Sequence, residues 1–149
     1  MKETRCFFEN WIARMILFSG YSAITLLACS LFKLKRQFYG LDNINHERIH
    51  QVQQLECMVI GLILGIIFWA IFQFNPFWIL LPTLLFFYLW YGLEYIIILA
   101  FAGWSKQNDR YHDVSFEEEA HNNDMDINYL KNRKLFAWFK YIKLRSYKK

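Results

Sequence analysis

Two apolar runs decide the fold: "CMVIGLILGIIFWAIFQF" (57–74) and "FWILLPTLLFFYLWYGLEYIIILAFAG" (77–103). The first run has no charged residue, and the second has only Glu94. A helix of about 20 apolar residues is long enough to cross the hydrocarbon of a bilayer. Because Asn75 and Pro76 interrupt the pattern between the runs, the sequence predicts a transmembrane helical hairpin.

The composition and the charge distribution agree with a membrane protein. Of the 149 residues, 56% are hydrophobic and 20% are aromatic. A water-soluble domain of this size could not bury so many large apolar side chains, so we expect a lipid bilayer as partner. All 17 Lys and Arg lie outside the hairpin. By the positive-inside rule, both ends of the hairpin face the cytoplasm.

The segment "WIARMILFSGYSAITLLACSLF" (11–32) allows two interpretations. Its length would fit a third span, but Arg14 and a break at 20–22 interrupt it. Its second half, "SAITLLACSLFKL" (22–34), is rich in β-branched and aromatic residues, as strands are. We favour a short interfacial helix followed by a short N-terminal strand. In either case "KLKR" (33–36) lies at the lipid headgroups.

The C-terminal third is polar and is predicted to contain short helices. "SKQNDRYHDVS" (105–115) is predicted to be a loop, with Ser115 as an N-cap for a short helix over "FEEEAHNND" (116–124). "YLKNRKLFAWFKYIKLRSYKK" (129–149) alternates basic and aromatic residues at helical spacing. Such a helix lies either on an anionic membrane surface or on the protein's own core.

These elements define the expected fold class. It is a mainly α membrane protein with a transmembrane helical hairpin, a small cytoplasmic helical site and a short N-terminal strand. We expect one membrane-embedded domain over residues 1–149. Its parts are an interfacial segment (1–45), a motif helix with the hairpin (46–103) and a cytoplasmic helical region (104–149).

The pattern H-E-x-x-H occurs at His46, Glu47 and His50, immediately before the first apolar run. On a helix, which Asp42 could cap, residues four apart project from one face, so both imidazoles can reach one ion. Glu47 lies beside them and is placed to take a proton from a metal-activated water. The alternative is a surface helix that happens to carry two histidines. Against it, two of only four histidines in the chain have this spacing.

A third ligand should come from another element, and "SFEEEAHNND" (115–124) offers three glutamates. Here the sequence resembles the membrane gluzincins, zinc peptidases in which a glutamate of an E-x-x-A pattern completes H-E-x-x-H. With Ala120 as the small residue, the resemblance marks Glu117 as the ligand and leaves Glu119 as the alternative. It implies a zincin-like site with zinc as the cofactor.

The motifs "INHERIHQVQQLE", "LWYGLEYIII", "YHDVSFEEEA" and "YLKNRKLFAWFKYIKL" also resemble an uncharacterised family of bacterial membrane proteins, mostly from Bacteroidetes-type organisms. The similarity covers residues 22–149 and implies a site on the cytoplasmic side of the bacterial inner membrane. The chain departs from the E-x-x-A pattern in one respect, because His121 stands where an Asp or Asn is usual.

The resemblance implies a reaction. Zinc is held by His46, His50 and Glu117, and Glu47 takes the proton of the water that attacks a peptide carbonyl. The strand "SAITLLAC" (22–29) could align an extended peptide or protein substrate by backbone hydrogen bonds. An oxyanion needs a further donor, for which the candidates are Tyr111, His112, His121 and Tyr129.

Two other functions are compatible with parts of the sequence. The first is a di-iron carboxylate oxidase with two E-x-x-H pairs and two further carboxylates. These are Glu47-x-x-His50, Glu118-x-x-His121, Glu56 and Glu94. Glu94 could instead contact a ligand histidine or Arg48, or be a partly hydrated interfacial residue.

The second function is a non-catalytic membrane adaptor. Nucleic-acid binding is not expected, because lipid phosphates are the nearer partner of the basic tail; the oligomeric state is left open.

Overall fold

The computed structural model describes residues 4–17, 20–102 and 110–142. The chain forms two compact units. Unit 1 comprises Met1–Val52 and Ala120–Arg133, and unit 2 comprises Gln53–Glu119 and Lys134–Lys149. The predicted division at residues 45 and 103 stays a prediction.

Unit 1 contains a three-stranded sheet of β1 (Cys6–Phe7), β2 (Ala23–Leu26) and β3 (Cys29–Phe32). The strand order is β1-β3-β2, so β2 lies at one edge. It pairs antiparallel with β3, whereas β1 pairs parallel. The predicted strand is therefore a hairpin. Its two turn residues, Leu27 and Ala28, both have positive φ, which a tight two-residue hairpin turn demands.

A short helix, α1 (Trp11–Ile16), precedes the hairpin. The Asn10 side chain caps it by accepting from the backbone amides of Ile12 and Ala13. Six residues of helix are too few to cross a membrane. The described part of 11–32 therefore follows the helix-and-strand interpretation and not the third span.

An aromatic cluster joins the sheet of unit 1 to the start of α2 (Leu41–Phe72). Phe8 stacks on Phe32 at 4.7 Å between ring centroids, and Tyr39 meets Phe32 edge-on at 4.8 Å. The cluster therefore fixes the sheet beside the turns of α2 that carry the H-E-x-x-H pattern.

The α2 helix begins one residue before Asp42, so Asp42 lies in the first turn and is not the predicted cap.

The predicted hairpin appears as α2 and α3 (Leu80–Ala102), separated by a short 3-10 helix at Pro76–Ile79. The motif helix runs without a break into the first apolar run, as predicted. Among the described residues, two helical stretches are long and apolar enough to cross a membrane, Leu41–Phe72 and Pro76–Phe101. Gly61 permits their close approach, because a Cβ there would overlap the carbonyl of Pro82.

The C-terminal third differs from the prediction in part. The short helix is present as α4 (Ser115–Asn123), but 129–149 is not one amphipathic helix. Within the described residues it is α5 (Tyr129–Asn132) and a 3-10 helix at Ala137–Tyr141. Phe136 has a left-handed backbone (φ 54°), which ends helical continuity between them. Residues 143–149 and 105–109 lie outside the described part.

The aromatic residues near the C-terminus do not share one face. Trp138 is fully buried, and its ring centroid lies 4.6 Å from that of Phe116 in the core of unit 2. Phe139, the next residue, is 48% exposed, and Leu135 is 78% exposed. The alternative of packing on the protein's own core therefore holds for Trp138.

Candidate metal centre

The first turns of α2 bring two histidines of unit 1 together. The Nε2 atoms of His46 and His50 are 3.1 Å apart, and the two rings meet edge-on. Two imidazole nitrogens bound tetrahedrally to one zinc at about 2.0–2.1 Å lie about 3.3 Å from each other. The observed separation is therefore that of a pair that can chelate one ion.

A third imidazole of unit 1 lies next to this pair. The ring centroid of His121, in α4, is 4.6 Å from that of His46, and the two side chains offer ligand atoms within 4.8 Å of each other. Asp124 follows, with its Oδ2 3.6 Å from Nδ1 of His46 and 3.7 Å from Nδ1 of His121. The sequence analysis considered His121 only as an oxyanion donor or an iron ligand and missed Asp124. His121 and Asp124 are three residues apart in the sequence, and this spacing was the available signal that they lie close together.

Glu117, the predicted third ligand, lies one turn before His121 on α4. The two residues are four apart on this helix, so they project from one of its faces. In unit 2, the Tyr91 hydroxyl donates to Oε1 of Glu117 at 3.2 Å. The alternative, Glu119, is fully buried and accepts from the Gln53 side chain at 3.0 Å. Both glutamates accept a hydrogen bond, but Glu119 is fully buried whereas Glu117 is only partly buried, so Glu117 stays the predicted ligand.

The carboxylate of Glu47 is held by a side chain from the edge strand β2. Oγ1 of Thr25 donates to Oε2 of Glu47 at 2.6 Å. Oγ of Ser30 lies 2.8 Å from the Thr25 hydroxyl, and the Gln51 amide donates to Ser30 at 2.8 Å. A hydroxyl has one proton. Since Thr25 gives its proton to Glu47, Ser30 must donate to Thr25, and the three side chains form one directed chain.

We call Gln51, Ser30 and Thr25 the polar chain. All three side chains are buried. The 2.6 Å contact with Thr25 holds the Glu47 carboxylate in one orientation. The polar chain therefore fixes the position of the predicted base.

Asn45 fixes the turn that follows α4. Its Nδ2 lies 3.3 Å, 2.9 Å and 3.0 Å from the backbone oxygens of Asn123, Asp124 and Asp126. The side chain is almost completely buried, at 1% exposure. Because Asn45 directly precedes His46 on α2, these bonds set where the turn lies relative to that histidine. No local pattern in the sequence pointed to this contact.

The two further carboxylates of the di-iron hypothesis are engaged in unit 2. Glu56 accepts the backbone amide of Phe136 at 2.8 Å. Glu94 accepts both the backbone amide (3.0 Å) and the hydroxyl (2.7 Å) of Ser115. Glu94 thus caps the start of α4, where Ser115 was predicted to be the cap and the role of Glu94 was left open between a contact to a ligand histidine or Arg48 and a partly hydrated interfacial position. This use of both carboxylates argues against iron ligation.

Comparisons with protein-family models, with curated proteins and with solved structures found no match to this chain. The resemblance to gluzincins and to the bacterial membrane family therefore rests on the sequence motifs alone. What the structure adds is the placement of three imidazoles, those of His46, His50 and His121, next to one another within unit 1.

Proposed function

We propose that this protein is a membrane-associated zinc metallopeptidase. The observation that carries the proposal is the 3.1 Å separation of the His46 and His50 Nε2 atoms, with Glu47 held beside them by Thr25. A pair of convergent imidazoles suits zinc, nickel or copper better than the oxygen-preferring magnesium or calcium. The anchored carboxylate supports peptide hydrolysis, because Glu47 is placed to act as a base beside the histidine pair.

The proposed ligands are His46, His50 and Glu117. A zinc ion bound there would polarise the peptide carbonyl and lower the pKa of a water. Glu47 takes the proton from the attacking water and returns it to the leaving amine. The polar chain keeps the Glu47 carboxylate oriented before the substrate arrives.

The edge strand β2 is the proposed substrate support. It pairs with β3 on one side and ends the sheet on the other. An extended peptide can add to such an edge through backbone hydrogen bonds. Because Thr25 belongs to β2 and bonds to Glu47, a peptide on this strand would run next to the proposed base.

The proposed location is the bacterial inner membrane, with the site on the cytoplasmic side. Two helical stretches are long and apolar enough to span a bilayer, with mean hydropathies of 2.5 and 1.9. Only 22% of each apolar window is buried within the protein. Lipid would cover the remaining apolar surface. In the sequence every Lys and Arg precedes residue 49 or follows residue 105, and by the positive-inside rule this distribution supports a cytoplasmic site.

Metal analysis of the full-length protein in detergent tests this proposal first. We expect one zinc per chain, and loss of this zinc when His46 or His50 is replaced by Ala. Two irons per chain would support an oxidase, and no bound metal would support an adaptor. Either result refutes the proposal.

Cleavage of a peptide library, read by mass spectrometry, tests the chemistry. Glu47→Gln has nearly the same shape as the native residue but is a poor base. We expect this variant to retain zinc and to lose cleavage. Equal cleavage by the wild type and the variant would remove Glu47 from the reaction.

A further inference from the structure

Unit 1 holds two side chains near the histidine pair that the proposed reaction does not use. Oδ2 of Asp124 lies within ion-pair distance of Nδ1 of both His46 (3.6 Å) and His121 (3.7 Å). One carboxylate oxygen thus lies close to Nδ1 of two imidazoles. His46 and Asp124 are mostly buried, with 16% of each side chain exposed, and His121 is 43% exposed.

This arrangement suits one tautomer of each ring. An ionised carboxylate only accepts, so a hydrogen bond from either imidazole to Asp124 requires the proton on Nδ1. A neutral imidazole with that proton has its lone pair on Nε2. In His46 this is the nitrogen that lies 3.1 Å from Nε2 of His50. The same tautomer therefore leaves for metal binding the atom that the pair geometry had identified.

The position of Asp124 is set by the fold. Asn45 holds the backbone oxygens of Asn123, Asp124 and Asp126, so the turn is tied to the residue that precedes His46. A shift of about 0.5 Å would bring each Nδ1 within hydrogen-bond distance of the Asp124 carboxylate. Carboxylates that orient metal-binding histidines in this way fix the ring and raise its basicity.

We propose that His121 is a further ligand of the metal and that Asp124 is a positioning residue for His46 and His121. The inference rests on the proposed metal site and names its ligand class, a divalent transition ion that prefers imidazole nitrogen. With Glu117 the site then has four protein ligands. A catalytic zinc site usually has three and keeps one position for water. His121, the most exposed of the three rings, would be the ligand to leave when water enters.

Cobalt binding tests the proposal without any substrate. Metal-free full-length protein in detergent is titrated with Co²⁺, and its visible absorption reports both affinity and ligand set. We expect Asp124→Asn to lower Co²⁺ affinity about 10- to 100-fold. We expect His121→Ala to lower the affinity and also to change the absorption bands, which a purely structural role would not do.

The chain offers a matched control for each variant. Asp126→Asn removes a carboxylate of the same turn that binds the backbone amide of Asn128. His112→Ala removes an imidazole from outside unit 1. Neither should change Co²⁺ affinity. If Asp124→Asn destabilises the turn, Asp124→Glu keeps the charge and should retain more affinity than Asp124→Asn.

The outcomes separate this inference from the proposed function. If His121→Ala and Asp124→Asn bind Co²⁺ like the wild type while His46→Ala does not, the pair site stands and the inference is wrong. If the wild type does not bind Co²⁺, both are wrong. If His121→Ala weakens metal binding and increases peptide cleavage, His121 is the ligand that competes with water.

Discussion

The contact between Thr25 and Glu47 yields the sharpest prediction about the proposed reaction. Thr25→Val keeps the shape of the side chain and removes its hydroxyl. The Glu47 carboxylate then loses a 2.6 Å hydrogen bond from a buried donor, and Ser30 loses its 2.8 Å contact with the Thr25 hydroxyl. The base is no longer held in one orientation, so we expect slower chemistry with the metal site intact.

The size of the effect follows from the charge on the acceptor. A hydrogen bond to a charged group contributes about 1.5–3 kcal/mol. Each 1.36 kcal/mol in the activation barrier changes the rate about tenfold. If the whole contribution is expressed in the transition state, kcat falls by roughly 10- to 150-fold. KM should change little, because Thr25 bonds to the base and not to the substrate.

The assay is single-peptide cleavage, using a substrate selected from the library, with zinc content measured on the same samples. Thr25→Ser keeps the hydroxyl and should retain most of the activity. Ser30→Ala acts one step further from Glu47 and should cost less than Thr25→Val. Wild-type kcat in zinc-loaded Thr25→Val would refute the positioning role. Loss of zinc in that variant would show that Thr25 supports the metal site instead.

Two further predictions concern stability, measured by thermal unfolding in detergent. Glu94→Ala leaves the buried backbone amide and hydroxyl of Ser115 without their acceptor, so it should destabilise the protein by about 1–3 kcal/mol. Glu94→Gln retains an acceptor and should cost less; equal losses would contradict the capping role. Gly61→Ala should destabilise by about 1–3 kcal/mol, because its Cβ would overlap the carbonyl of Pro82. Gly92→Ala meets open space and should stabilise by about 0.5–1 kcal/mol, so equal effects at both glycines would rule out the close contact.

Local periodicity was sufficient to predict the elements that depend on local geometry. The i, i+4 spacing of His46 and His50 sets their separation on any α-helix, and apolar length alone predicted α2 and α3. The strand before α2 was predicted from its β-branched residues, but the turn at Leu27 and Ala28 was not. Neither residue is a usual former of positive-φ turns, so the hairpin carried no turn signal.

The contacts around the histidine pair were beyond a sequence-based prediction because they join distant segments. Thr25 reaches Glu47 across 22 residues, and Asn45 reaches the turn at Asp124 across 79 residues. Each is a single polar side chain with no periodic neighbour. The break at Phe136 was missed for a different reason: its left-handed backbone is unusual for a large residue and has no local signature.

The stretch between the motif and the first apolar run shows how tertiary structure changes the meaning of polar residues. Gln51, Gln53, Gln54 and Glu56 would ordinarily indicate a solvated helix face, yet all four are buried. The Gln51 amide donates to Ser30, and the Gln53 amide donates to the backbone oxygen of Phe116. These side chains form hydrogen bonds with buried groups of other segments, so they link parts of the fold and do not face solvent. Apolar replacements here would lengthen the apolar run of α2, but they would also leave buried donors and acceptors unpaired. The polar stretch therefore stabilises the fold by a specific set of hydrogen bonds, and its polarity gives no measure of its exposure to water.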